Sequence, residues 1–419
     1  MSRFQSTCSP TAADEPATVA DPGARCSGGH RPATVAVRAG IDSDAQHGAV
    51  VPPICLSSTF NFAGFGAPRR YDYTRSGNPT RTLLAEAIAR LEGSEYGLVT
   101  ATGMAAITTV LQLLEPDDLL LAPYDCYGGC WRLLTALARK GCFKLQLIDF
   151  AHAESLHMAL SRKPRMVWIE TPSNPLLRIT DIRNVATAAH QHDALVVVDN
   201  TFLSPALQQP LAMGADIVVH STTKYLNGHS DVVGGAIVSR TAELHQEIEW
   251  WSNCLGVTGA PFDSYLTLRG LRTLTVRMRM HEDNALHLAE LLREHPAVAR
   301  VHYPGLPDHP DHAVAARQQS GFGAMLSFEL LGGEPAVRAF LDGLSCISLA
   351  ESLGGVESLI AHPATMTHAA MAPEARRAAG IRDTLLRLSV GIEHRDDLAA
   401  DVRAALARAA EAVAVKESA

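Results

Sequence analysis

The chain has 419 residues, of which 47% are hydrophobic and 19% charged, with a net charge of −8 at pH 7. That length calls for about two or three domains, and the composition is that of an ordered globular chain, not a disordered one. The acidic balance and a pI near 6.1 argue against nucleic acid or an anionic membrane as partner, and no apolar run reaches the roughly 18 residues of a transmembrane helix.

Residues 1–30 are rich in Ser, Thr, Ala, Pro and Gly, contain Asp14 and Glu15, and lack the apolar core of a secretory signal. A disordered tail on a cytoplasmic protein is expected. Further along, Ile107, Val110, Leu111 and Leu114 fall at helical spacing in a segment that ends before Pro116. Short runs rich in Val, Ile and Leu follow at 119–122, 144–148, 166–170, 195–199, 217–220 and 236–239. Their continuity is that of strands buried on both faces of a mainly parallel sheet. Ile182, Val185, Ala186 and Ala189 repeat the helical pattern behind a capping Thr180 or Asp181. This alternation means an α/β domain with its ligand at the carboxyl ends of the strands, near residues 170–174, 199–201 and 221–224. After about residue 281 come strands at 325–330 and 385–392 and helices at 337–344 and 396–409, a smaller α+β domain.

Cys8, Cys26, Cys55, Cys126, Cys130, Cys142, Cys254 and Cys346 have no paired metal spacing. They read as reduced, mostly buried thiols. His190 with His192, and His309 with His312, lie at a helix end and in a Pro-rich loop without a third ligand, so they read as solvated and no metal is expected.

Lysine is scarce. Only Lys140, Lys144, Lys163, Lys224 and Lys416 appear among 36 basic residues. Lys224 stands just past a buried strand, and only a primary amine forms a Schiff base; desolvation lowers its pKa and makes it nucleophilic. A pyridoxal phosphate site would need three further parts. Asp199, ending a strand, could keep the pyridine nitrogen protonated. Gly103 and Met104 at a helix start, with Ser221 and Thr223, could bind the phosphate. Tyr127 could stack on the ring.

The string Ser221-Thr222-Thr223-Lys224-Tyr225-Leu226-Asn227-Gly228-His229 resembles the lysine motif of the Cys/Met-metabolism pyridoxal-phosphate family. Val198-Asp199-Asn200-Thr201, Thr171-Pro172-Ser173-Asn174-Pro175, Tyr73-Thr74-Arg75-Ser76-Gly77-Asn78-Pro79-Thr80 and Ser352-Leu353-Gly354-Gly355-Val356-Glu357-Ser358 resemble its other motifs, in order, from about residue 33 onward. The resemblance implies a fold type I, aspartate-aminotransferase-like α/β architecture with pyridoxal 5′-phosphate as cofactor. It divides the chain into a tail (1–30), an arm reaching the neighbouring subunit's site (31–86), a cofactor-binding domain (87–281) and a C-terminal domain (282–419).

Carried over by motif, Lys224 would hold the cofactor and shuttle protons, and Tyr127 would stack and help deprotonate the incoming amine. Asp199 would pair with the pyridinium. Gly103, Met104, Ser221 and Thr223 would bind phosphate, Thr201 and Asn174 would join the cofactor shell, and Tyr73 and Arg75 would reach the phosphate from a second copy. Arg387 would clamp the substrate carboxylate, assisted by Asn174 and Ser352, with Glu351, Asp72 and Arg132 also toward the substrates. The strings at 125–129, 202–208, 229–233 and 368–376 are most similar to the bacterial branch that exchanges the succinyl group of O-succinyl-L-homoserine for L-cysteine, giving L-cystathionine and succinate. γ-Elimination of cystathionine, or sulfide as acceptor, are the neighbouring options, and a catalytically inactive oligomeric scaffold is the option from another class. The implied partners are amino-acid substrates and further copies of the chain, with a tetramer of active dimers as the usual form.

Overall fold

The computed structural model describes residues 29–369, 371 and 373–417; the expected tail, up to residue 28, lies outside them. Seven strands build the larger sheet: β1 (Tyr96–Thr100), β2 (Leu119–Pro123), β3 (Lys144–Ile148), β4 (Met166–Glu170), β5 (Leu195–Asp199), β6 (Ile217–Ser221) and β7 (Gly235–Ser239). Their order is β1-β7-β6-β5-β4-β2-β3, and β7 runs antiparallel to both neighbours while the other pairs are parallel.

Alternate residues of the central strands feed two cores. Val167, Ile169, Val196, Val198 and Val218 pack on one face, and Met166, Trp168, Val197, Ile217 and Val219 on the other. Each such side chain contributes about 1.5–3 kcal/mol when fully buried, which is why these runs carry no polar alternation. The helix Ile182–His190 covers the first face, capped by Asp181, whose side chain accepts from the Asn184 N–H. The helix Gly103–Val110 covers the second face; it tightens into a 3₁₀ turn over Leu111–Leu113, so Leu114, expected within the helix, is already extended and outside it.

Strand β1 has no counterpart among the expected elements. Gly97 interrupts its apolar run, and the reason is steric: a Cβ there would lie 2.3 Å from the Ala85 carbonyl oxygen of helix Pro79–Glu92.

A smaller sheet holds β8 (Val298–His302), β9 (Met325–Leu330), β10 (Ser348–Leu349), β11 (Leu359–Ala361) and β12 (Leu385–Ser389), in the order β10-β11-β12-β9-β8. β12 stops three residues before the expected end, because Val390 turns to donate to the Ala324 carbonyl and Ile392 to that of Val356. The expected helix at 337–344 is Gly333–Leu341, closed by Asp342 in extended geometry and Gly343 at φ 76°. The last helix runs Arg395–Glu417, longer than expected at both ends. Helix Leu274–Glu294 passes residue 281 unbroken and ties the two parts together. Its Arg277 donates to the Tyr225 and Gly270 carbonyls, and the His281 ring meets the Val390 carbonyl.

Two sequence expectations are corrected. Of the six described cysteines only Cys126 and Cys130 are buried, while Cys142 and Cys254 are exposed. His309 is buried, not solvated, and its pKa falls to about 4 because burial disfavours the charged ring. Among the described residues no group of three or more His, Cys, Asp or Glu could hold a metal ion, and no helix is long and apolar enough to cross a membrane.

Gly97→Ala is expected to destabilise the protein by about 1–3 kcal/mol through overpacking, read as a lowered urea midpoint. An unchanged midpoint would mean that the helix–β1 contact is slack.

Candidate active site

Three adjacent parallel strands deliver their last residues to one mouth: Glu170 from β4, Asp199 from β5 and Ser221 from β6. Past Ser221 the chain turns, with the Lys224 N–H donating to the Ser221 carbonyl, and the Lys224 side chain is half-buried. Its Nζ donates to Ser352 Oγ at 2.8 Å. Burial lowers the amine to about 8; the Arg387 charge pushes the same way and Glu351 opposes it. Near neutral pH a usable fraction of Lys224 is therefore uncharged.

Ser352 arrives from the smaller domain with φ 88°, a region that side chains seldom adopt. The turn it belongs to lies directly on the lysine backbone, since a Cβ on Gly354 would sit 2.8 Å from the Tyr225 nitrogen. The same Ser352 presents its carbonyl to Arg387 Nη2 at 2.8 Å, while Arg387 Nη1 donates to Asn174 Oδ1 at 3.1 Å. Arg387 stands at the centre of β12 and is 3% exposed, its pKa lowered to about 10 by burial. Its Nε has no acceptor. A buried guanidinium with an unsatisfied donor has the chemistry to receive a carboxylate.

A second group of residues gathers around Asp199. Asp199 Oδ1 accepts the Thr201 N–H at 3.0 Å, and Thr201 Oγ1 accepts the Ser221 N–H at 2.9 Å. Burial raises the Asp199 pKa, against the Thr201 hydrogen bonds and the charge of His220. Gly103 lies flat on Ser221: a Cβ at Gly103 would be 2.8 Å from that of Ser221. Thr102 caps the helix that Gly103 opens by accepting the Ala105 N–H. Thr223 Oγ1 accepts the Gly234 N–H at 3.0 Å. The Tyr127 ring folds over Gly129, where a Cβ would meet it at 2.5 Å and Met104 sulfur at 3.2 Å. Tyr127 is 43% exposed, so its ring is open to a ligand and not part of the core.

Lys224, Ser352, Arg387 and Asn174 are thus hydrogen-bonded into one group; Asp199, Thr201 and Ser221 form a second with Gly103 packed on it, and Met104 and Tyr127 both border Gly129. Asp72, Tyr73 and Arg75 do not join them among the described residues. Asp72 accepts from Tyr73 N–H and Ser76, and Arg75 donates to Asn253 and lies over the Tyr73 ring. Glu351 and Arg132 are exposed, Glu351 next to Ser352 and Arg132 on the helix Gly128–Arg139 that starts after Tyr127.

Three residues of the site carry no role in the sequence reading. Glu170 accepts the Tyr127 N–H at 2.6 Å, and Glu92 meets His220 at 2.7 Å behind Asp199. An acid closing a buried strand was the available signal for Glu170; its partnership with Asp199 exists only in the sheet register.

An amine of lowered pKa, a strand-end acid, a glycine-cleared helix start and an open aromatic face together fit pyridoxal phosphate. The profile of the family described as "Cys/Met metabolism PLP-dependent enzyme" matches residues 33–407. The chain belongs to this family. Like the family's other members it is a pyridoxal-phosphate-dependent enzyme. A cystathionine gamma-synthase of Escherichia coli K12 is 56% identical over 371 residues, 88% of this chain and 96% of that one. A cystathionine gamma-lyase of Dictyostelium discoideum is 47% identical over 89% of this chain and 97% of that one. The crystal structure of cystathionine gamma synthase from Xanthomonas oryzae pv. oryzae, in complex with aminoacrylate and cysteine, superposes with a TM-score of 0.90 at 65% identity, covering 91% of this chain and 99% of that one.

The depressed Lys224 amine has a measurable sign. Between about pH 8 and the ordinary value of 10.5 the unfolded chain binds a proton that the folded chain does not, so this residue adds stability as pH rises through that window. In cofactor-free protein, Lys224→Met is expected to be more stable than wild type at pH 7, with the gap narrowing by pH 10 in urea titrations. A gap that widens with pH would contradict the desolvated amine.

Proposed function

We propose that the enzyme catalyses γ-replacement: the Cγ–O bond of O-succinyl-L-homoserine breaks, the cysteine sulfur bonds to Cγ, and L-cystathionine and succinate leave. The observation that carries this reading is the group Lys224–Ser352–Arg387–Asn174, which sets one desolvated amine beside one buried guanidinium with a free donor. Replacement over elimination is supported by the synthase names at 56% and 65% identity against 47% for the γ-lyase. Elimination from cystathionine is the second reading, because both names occur among the relatives.

When bound, pyridoxal phosphate supplies an electron sink that acidifies the carbons next to the amino group. The rest of the work belongs to the chain. Lys224 would hold the cofactor through Nζ, and the same amine would move protons at the substrate's Cα, Cβ and Cγ. Its lowered pKa suits it to both giving and taking a proton near neutral pH. Ser352 keeps Nζ within reach of those carbons. Arg387, with its Nε and the edge shared with Asn174 and Ser352, fixes the α-carboxylate and so the direction of the Cα–H bond. Tyr127 would stack on the cofactor ring and receive the proton of the incoming ammonium group. Asp199, with Thr201 behind it, would pair with the pyridine nitrogen, and Gly103, Met104, Ser221 and Thr223 would bind the phosphate.

Tyr73 and Arg75 of a second copy complete the phosphate site, which makes a dimer the active unit and a cytoplasmic homotetramer the expected assembly. What supports a shared site is the separation of these exposed residues from their own Lys224 group. Residues 31–86 then form the arm, 87–281 the cofactor domain and 282–419 the C-terminal domain. Glu351 and Asp72 orient the ammonium group of cysteine, and Arg132 faces the leaving succinyl carboxylate.

With purified holoenzyme, succinate release from O-succinyl-L-homoserine is expected to rise when cysteine is added, with cystathionine formed in equal amount. Faster 2-oxobutyrate release from cystathionine than cystathionine formation would favour the lyase reading instead. Arg387→Lys, which loses the two-pronged contact, is expected to lower kcat/KM by about 10- to 100-fold. Glu351→Ala is expected to raise the KM for cysteine by about tenfold; an unchanged KM would remove its role.

A further inference from the structure

β4 and β5 pair in parallel with Glu170 opposite Asp199. Opposed residues of parallel strands point to the same face, about 4.8 Å apart, so two carboxyl groups end side by side at the inner edge of the site. Glu170 is buried, 7% exposed, and Asp199 is half-buried beside it. Their partners differ. Asp199 accepts the Thr201 N–H and feels the charge of His220. Glu170 accepts the Tyr127 N–H at 2.6 Å and the Trp168 indole N–H at 3.3 Å, and faces the thiols of Cys130 and Cys126. Among the described residues, the charge that weighs on it is the like charge of Asp199. Two carboxylates at this separation, one of them buried, resist ionising together, and the buried one is the costlier to charge.

We propose that Glu170 is a positioning residue of the cofactor site: an uncharged acid that fixes the Tyr127 backbone and leaves Asp199 as the only charge for the pyridine nitrogen. The proposal rests on the reading of Asp199 as the pyridinium partner.

The energetic ordering supports it. Burial, followed by the Asp199 charge, raises Glu170 to about 8, while its hydrogen bonds from Tyr127, Cys130 and Trp168 lower it by less. Neutral Glu170 keeps an acceptor for Tyr127 without a second anion beside Asp199. The Tyr127 N–H is the point where the chain enters the helix Gly128–Arg139, so the carboxyl also sets where the ring lies over Gly129 and Met104.

The experiment compares wild type, Glu170→Gln, Glu170→Ala and Asp199→Asn as holoenzymes at pH 7. Visible circular dichroism of the bound cofactor, the cofactor Kd and infrared difference spectra are the readouts. Glu170→Gln keeps a neutral acceptor for Tyr127, so it is expected to hold the cofactor Kd within about threefold and leave the dichroic band in place. Glu170→Ala strands the Tyr127 N–H and is expected to weaken cofactor binding at least about tenfold and alter the band. The wild-type minus Glu170→Gln infrared spectrum is expected to contain the carbonyl stretch of a protonated carboxyl group. A spectrum showing only an ionised carboxylate, or a Gln variant that loses cofactor at pH 7, overturns the proposal. The infrared and Gln results stand even if the Ala variant does not fold. If Asp199→Asn leaves the cofactor's absorption and Kd unchanged, it is the Asp199 reading that fails, whatever Glu170 does.

Discussion

The site depends on one costly arrangement: a desolvated lysine amine with no carboxylate among the described residues in direct contact. Lys224 meets a hydroxyl, Ser352 Oγ, and lies in the field of a buried guanidinium, Arg387. A direct Asp or Glu partner would have restored the ordinary lysine pKa and removed its nucleophilicity. The fold holds the amine in this poor environment by surrounding it with elements that cannot relax. The β6 strand end fixes its backbone, and the turn of Ser352 and Gly354 is pressed against the same peptide.

That environment needs both domains. The larger sheet brings Lys224, Asp199 and Glu170 to the carboxyl ends of its parallel strands, where an open α/β sheet presents its ligands. The smaller domain supplies Arg387 and Ser352, and helix Leu274–Glu294 with Arg277 and His281 bonds the two together. Polarity divides along the same line. The acids sit on the sheet side, while the buried guanidinium of Arg387, with its unpartnered Nε, belongs to the smaller domain. A flat cofactor with an acidified ring on one side and an amino acid on the other matches that division.

Much of this was legible from local chemistry. The runs at 119–122, 166–170 and 195–199 could only be buried strands, and they lie within β2, β4 and β5. Lysine scarcity picked out Lys224, and the glycine before Met104 marked a helix start that the structure sets against Ser221. What sequence reasoning missed is set by tertiary contact. β1 was hidden because Gly97 answers to a carbonyl of another helix, not to strand propensity. The end of β12 is decided by Ala324 and Val356, which capture the backbone of Val390 and Ile392. Glu170 opposite Asp199 is a matter of register, and His309 is buried by packing that its Pro-rich loop does not announce.

The central claim, that Lys224 is the residue to which pyridoxal phosphate is attached, has a direct measurement. The holoprotein is reduced with borohydride, digested and mapped by mass spectrometry for the phosphopyridoxyl group. The account predicts that the modification lies on the peptide containing Lys224. Modification of Lys140, Lys144, Lys163 or Lys416 in its place would contradict it.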